Sequence, residues 1–141
     1  MTQLRVAMHA LQHALQDHEE SSWYLDVQTG EVIALVNPQL DPHSQQSQQV
    51  LENPERYMWI EPLAIEDANR ILTDFARTLD NEYEQRALQR VLDGGHPWPD
   101  FTELLAAHPS LRIRWFLHED ATYRRLATDW LQDMGVHAQL I

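Results

Sequence analysis

The chain has 141 residues, and its 22 acidic and 10 basic side chains leave a net charge of -12. It contains no cysteine, which excludes disulfides, thiolate nucleophiles and cysteine-ligated zinc or iron–sulfur centres. The acidic balance argues against non-specific nucleic-acid binding, because that binding neutralises phosphates with a basic face. The length fits a single domain over 1–141, large enough to bury a core without covalent staples. The longest apolar run, Val32 to Val36, is far too short for a membrane span. Met1 to Gln12 carries one arginine among alternating polar residues and does not read as a secretory signal. A cytoplasmic address without membrane contact is therefore expected.

From Leu4 to about His18 the apolar residues Leu4, Ala7, Met8, Leu11, Ala14 and Leu15 recur at helical spacing, which predicts a first helix. His9, His13 and Asp17 fall on its other face. The period then changes. Trp23, Leu25 and Val27 alternate with Tyr24 and Asp26, and Gln28 to Glu31 breaks the run before the β-branched Val32 to Val36. Two such runs around Gly30 predict a hairpin whose turn needs a positive φ at the glycine.

Asn37 to about Glu52 holds two prolines, five glutamines and two serines, with almost nothing apolar to offset the entropy of ordering it. The segment at about 37–52 reads as a mobile excursion and not as a domain boundary. Tyr57 to Ile60 is a short third strand stopped by Pro62.

The remainder reads as mostly helical. Ile65, Ala68, Ile71, Leu72, Phe75 and Leu79 mark one helix, and Ala87, Leu88, Val91 and Leu92 a second that ends at Gly94-Gly95. His96-Pro97-Trp98-Pro99 then forms a rigid elbow, after which Asp100 and Glu103 resemble a capping box opening a short helix. Leu111 to His118 is ambiguous, since Leu-Arg-Ile-Arg-Trp alternates like a strand and also suits a short helix. Tyr123, Leu126, Ala127, Trp130, Leu131 and Met134 make a last helical stripe closed by Gly135. The expected class is α+β: a small antiparallel sheet, hairpin plus third strand, packed against a majority of helices.

No combination of residues reads as a catalytic centre. The chain lacks a nucleophile elbow, a P-loop and a dinucleotide fingerprint, and it has only five serines. His9 and His13 have metal-ligand spacing, but no third ligand is fixed by sequence, so neither a metal nor another cofactor is expected. His118-Glu119-Asp120 has the look of an acid–base cluster. Placed just before the last helix, its acids are sufficiently explained by the positive end of the helix dipole, which is the favoured reading.

Trp98 is held between prolines and could anchor an interface, or fold back onto the following helix. Arg112 and Arg114, with Arg124 and Arg125, suit capture of carboxylate or phosphate, or internal ion pairing with nearby acids. Trp59, His96, Trp98, Arg112 and Arg114 are the candidate binding residues.

Several segments together carry a family resemblance. Trp23 to Val32 resembles the YxLDxxTGEV hairpin of the bacterial uncharacterised protein family 0158. Arg56 to Ile60, Asp74-Phe75, the Gly94 and Phe101 region, Arg114-Trp115-Phe116, Tyr123, Arg124 and Trp130-Leu131 follow in the family's order. The resemblance implies a helix-rich α+β fold, a helix at Leu111 to His118, and no activity. Where family members carry a basic run after the glycine turn, this chain has His96-Pro97-Trp98-Pro99-Asp100. The expected function is a non-catalytic interaction or regulatory role, with a protein partner or homo-oligomer ahead of a small molecule. The alternative is a small-molecule or nucleotide-binding protein with a pocket between sheet and helices.

Overall fold

Beneath the turn of the predicted hairpin, the first strand of the chain leaves no room for a side chain at Gly30. In the computed structural model, which describes residues 3–18, 21–35 and 45–141, Leu4–Val6 forms strand β1 and Met8–Gln16 helix α1. The chain falls into two compact units: residues 1–63 with 124–141, and residues 64–123.

In the first unit, Ser22–Asp26 (β2), Val32–Leu35 (β3) and Tyr57–Ile60 (β4) form an antiparallel sheet in the order β3-β2-β4. Period-2 alternation sends Trp23 and Leu25 to one face and Tyr24 and Asp26 to the other. Leu25 and Ile60, both fully buried, lie on the first face, and His13 of α1 meets Trp23 edge-on at 5.0 Å. Helix Gln45–Glu52 (α2) supplies Val50, which clusters with Leu35 and Tyr57 against Tyr24 and Ile33 on the second face. Gln45–Glu52, in the segment at about 37–52 read as a mobile excursion, is helical, with Val50 as its docking point; residues 37–44 lie outside the described residues.

The first predicted helix is corrected at its start. Leu4–Val6 is extended because it pairs in parallel with Ala138–Leu140, Leu4 opposite Ala138 and Val6 opposite Leu140. Ile141 N donates to Val6 O at 2.9 Å and Met8 N to Ile141 O at 3.0 Å, so the helix begins only at Met8. Local periodicity carries no trace of a partner from the far end of the chain.

Gly30 has the predicted positive φ, 84°. A Cβ there would lie 1.9 Å from Arg5 O, so β1 runs directly across the hairpin turn.

The second unit is helical. Ile65–Arg77 (α3), Glu82–Asp93 (α4) and Pro97–Ala107 (α5) bury Ala68, Ile71, Leu72, Phe75, Leu88, Val91, Phe101 and Leu105. Asn81 caps α4, its Oδ1 accepting from Glu84 N at 3.1 Å. The proline elbow is corrected too: Pro97 and Pro99 lie inside the first turn of α5, with His96 as N-cap. First-turn N–H groups have no intrahelical acceptor, so two prolines fit there without loss, and Asp100 follows in the first turn instead of opening the helix.

Pro109–Asp133 is one continuous helix, α6, about 37 Å long at the usual rise per residue. It absorbs both the ambiguous Leu111 to His118, which is helical, and the predicted last helix. Its residues through Tyr123 belong to the second unit and those from Arg124 to the first. Gly135 follows at φ 71°, and Ala138–Leu140 is β5.

Candidate functional site

An aromatic cluster organises the second unit. Phe75 of α3, Phe101 of α5 and Trp115 of α6 meet edge to face, with centroids 4.9 to 6.4 Å apart. Such pairs add to burial through their quadrupoles. Trp98 joins the cluster, 6.2 Å from both Phe101 and Trp115, and its Nε1 donates to Asn69 Oδ1 at 3.0 Å. The ring is half-buried, and its polar tip and both neighbouring aromatics are already satisfied within this unit.

His118 lies against Phe75 at 5.3 Å and Trp115 at 5.9 Å. Its Nε2 is buried and has no hydrogen-bond partner among the described residues. The dipole explanation for His118-Glu119-Asp120 is overturned, because these residues sit in the middle of α6 and not at a helix start. All three are half-buried, and Glu119 and Asp120 have partners of their own.

This burial fixes which face of α6 is left outward. At about 100° per residue, Leu111, Trp115, His118 and Thr122 fall within a sector of about 60°. These four are buried or half-buried. Ile113, Phe116 and Leu117 occupy the opposite side at i, i+3, i+4 spacing, and they are 63%, 50% and 69% exposed. Three large apolar side chains in one outward row are unusual on a surface where isolated ones need no explanation. The Arg112 guanidinium sits 5.3 Å from the Phe116 ring centre, bordering the row on one side.

Arg114 borders the other side and pairs with Glu84 of α4. The hydrogen bond that Arg114 donates to Glu84 raises the Arg114 pKa, partial burial opposes it, and the charges of Glu84 and Asp80 add to the rise. Arg112 and Arg114, two positions apart, point away from each other and form no joint clamp. His96 is exposed at the start of α5. Trp59 belongs to the first unit, 52% exposed on β4 opposite Tyr24. Of the five expected residues, only Arg112 touches the apolar row.

The row itself was missed because a contiguous Trp115-Phe116-Leu117 run does not say which member turns inward. The signal that finds it is the helical offset between Leu111, Trp115 and His118 and the Ile113, Phe116, Leu117 set.

Two other features are less suited to a site. His13 and Asp17 both serve Trp23, the first by ring contact and the second by accepting from Nε1 at 2.7 Å. A shallow hollow of about 400 Å³ lies along α3, lined by Glu66, Asn69, Arg70, Thr73, Asp74 and Arg77. Its arginines are engaged along the same helix, Arg70 with Asp67 at 3.5 Å and Arg77 with Asp74 at 3.6 Å.

The first unit contains the polar feature most fully enclosed. Asp26 is 2% exposed and accepts from Gln28 N at 2.9 Å, from Thr29 N at 3.4 Å and from both Nε and Nη2 of Arg56. Burial works to raise its pKa, but the Arg56, Gln28 and Thr29 hydrogen bonds and the Arg56 charge outweigh it and hold the carboxyl below its ordinary value. This is an anchor for the hairpin turn, with no open side for a ligand.

The profile of the family described as "Uncharacterised protein family (UPF0158)" matches residues 1–140. The chain is also similar to the UPF0158 protein PA5073 of Pseudomonas aeruginosa, 30% identical over 114 residues that span 80% of this chain and 72% of the relative. No solved structure matches it with significance.

Proposed function

We propose that this chain, which belongs to the uncharacterised protein family UPF0158, is a non-catalytic interaction protein that engages another protein through the outward face of α6. The observation that supports this reading is the row Ile113, Phe116 and Leu117, exposed on the side opposite Leu111 and Trp115. Helix-in-groove recognition uses such i, i+3, i+4 anchors. Arg112 is the charged member of the face, and Trp59 is a separate exposed aromatic available for contact. Among the described residues, no helix is long and apolar enough to cross a membrane. The reading places the protein in the cytoplasm.

Affinity capture from the chain's own host, read by quantitative mass spectrometry, tests it. Proteins retained by the native chain and released by a Phe116→Ser/Leu117→Ser variant are the expected outcome. An identical set retained by both chains, or none by either, overturns the assignment of this face.

A further inference from the structure

Within the second unit, α6 is charge-polarised along its length. From Pro109 to Tyr123 its arginines, Arg112 and Arg114, precede Phe116, and its carboxylates, Glu119 and Asp120, follow it. Arg114 is paired with Glu84 on the far border of the apolar row. At about 100° and 1.5 Å per residue, Arg112 and Asp120 each lie about 6 Å along the axis from Phe116, about 40° to either side of it. Asp120 thus continues the row of Ile113, Phe116 and Leu117 at its far end, and Glu119 falls on the Arg112 side. Both acids are half-buried and already have partners in their own chain. A carboxylate has about four acceptor positions, so one such partner leaves capacity for a guanidinium. Arg112 is exposed and, among the described residues, contacts the Phe116 ring without an ion pair.

We infer that the occupant of this face is a second copy of the chain, with the two α6 helices antiparallel across it. This rests on the interaction reading above and names its partner. Charge of opposite sign at the two ends of one apolar row is the pattern a two-fold contact needs, because such a surface must complement itself. A two-fold axis beside Phe116 sets the apolar rows together and brings Arg112 of each copy level with Glu119 and Asp120 of the other. A parallel pairing sets Arg112 against Arg112 and Asp120 against Asp120, and like charges across an interface are costly. The apolar row supplies the affinity, and the charges fix its direction. The net charge of -12 on each copy opposes approach, but at physiological ionic strength it is screened beyond about 8 Å.

The test is a complementary charge swap, read by sedimentation velocity on the full chain at about 100 μM, where a dimer of micromolar affinity is well populated. The native chain is expected to sediment as a dimer. Arg112→Glu, and separately Glu119→Arg/Asp120→Arg, should each weaken it by roughly tenfold or more, since each sets like charges together at both ends of the contact. An equimolar mixture of the two variants should recover the dimer, because every contact between them joins opposite signs. If the carboxylate variant does not fold, Arg112→Glu and Phe116→Ser, both at exposed positions, must each produce the loss. A monomeric native chain, a dimer unmoved by Arg112→Glu, or a mixture of folded variants no tighter than its components overturns the inference. A photoreactive phenylalanine analogue in place of Phe116, inside the chain's own host, then judges the interaction reading separately. Crosslinks to other proteins leave that reading standing without the dimer, and crosslinks to no protein overturn both.

Discussion

Arg56 grips Asp26 at two points, Nε to Oδ1 at 3.1 Å and Nη2 to Oδ2 at 3.0 Å, across thirty positions of sequence. Each residue belongs to a different segment that resembles the family, so the two segments are one structural device. Asp26 closes the hairpin turn through Gln28 N and Thr29 N, and Arg56 compensates the charge that this burial encloses. Removing the carboxylate is expected to cost about 2–3 kcal/mol, because several hydrogen bonds to a charged, buried acceptor are lost together. Urea denaturation of Asp26→Ala should show a lower midpoint with an unchanged slope. Arg56→Ala should lower the midpoint less, since Gln28 and Thr29 still serve the carboxylate.

The same site carries an acid dependence. The Asp26 pKa is depressed in the folded state from its ordinary 3.8, so folding favours the ionised form. That contribution is complete above the unfolded pKa and disappears as pH falls through the lower folded value. The stability difference between the native chain and Asp26→Asn should be constant from pH 7 to about 5 and should narrow below about pH 4. A difference that widens in acid contradicts the assignment.

Gly30 and Gly135 form a matched comparison. Both have positive φ, 84° and 71°, but only Gly30 faces the backbone of Arg5. Gly135→Ala should cost about 1–2 kcal/mol, the penalty of a left-handed alanine. Gly30→Ala adds the displacement of β1 and should exceed that clearly, with thermal unfolding as the readout. Equal losses contradict the close approach.

His118 is the residue whose replacement should help. Its buried Nε2 has no partner among the described residues, and leaving such a group unsatisfied costs about 1–3 kcal/mol. His118→Phe keeps the contact with Phe75 and Trp115 and should raise the urea midpoint. A drop shows that the imidazole has a polar partner in solution.

Tryptophan fluorescence separates the rings by exposure. Trp115 is 4% exposed and Trp59 52%. Trp59→Phe should remove most of the acrylamide-sensitive emission, whereas Trp98→Phe should remove less, because that ring is half-buried against Asn69 and the aromatic cluster.

Much of this architecture is readable from residue order. Trp23 to Leu35 gives the hairpin because alternation and Gly30 are local signals, and α3 shows itself through Ala68, Ile71, Leu72 and Phe75. What escapes is contact between distant residues. Leu4 fits a helical stripe as well as a strand, and only Ala138 decides for the strand. Pro97 and Pro99 look like an elbow until His96 is seen to cap the turn that contains them. Trp98 reads as an interface anchor or as a ring folded back onto its helix, and the order of residues does not show that Asn69 and Trp115 lie beside it. Conversely, Ile113, Phe116 and Leu117 have the composition of a core and are left outside.

The pairing of β1 with β5 also orders events in time. On the ribosome, Leu4 to Val6 is made long before its hydrogen-bonding partner Ala138 to Leu140. Until then the backbone of Leu4 to Val6 is without its β5 partner, and an unpaired strand edge is open to pairing with other extended segments. The β1–β5 pair therefore closes only after translation has passed Leu140.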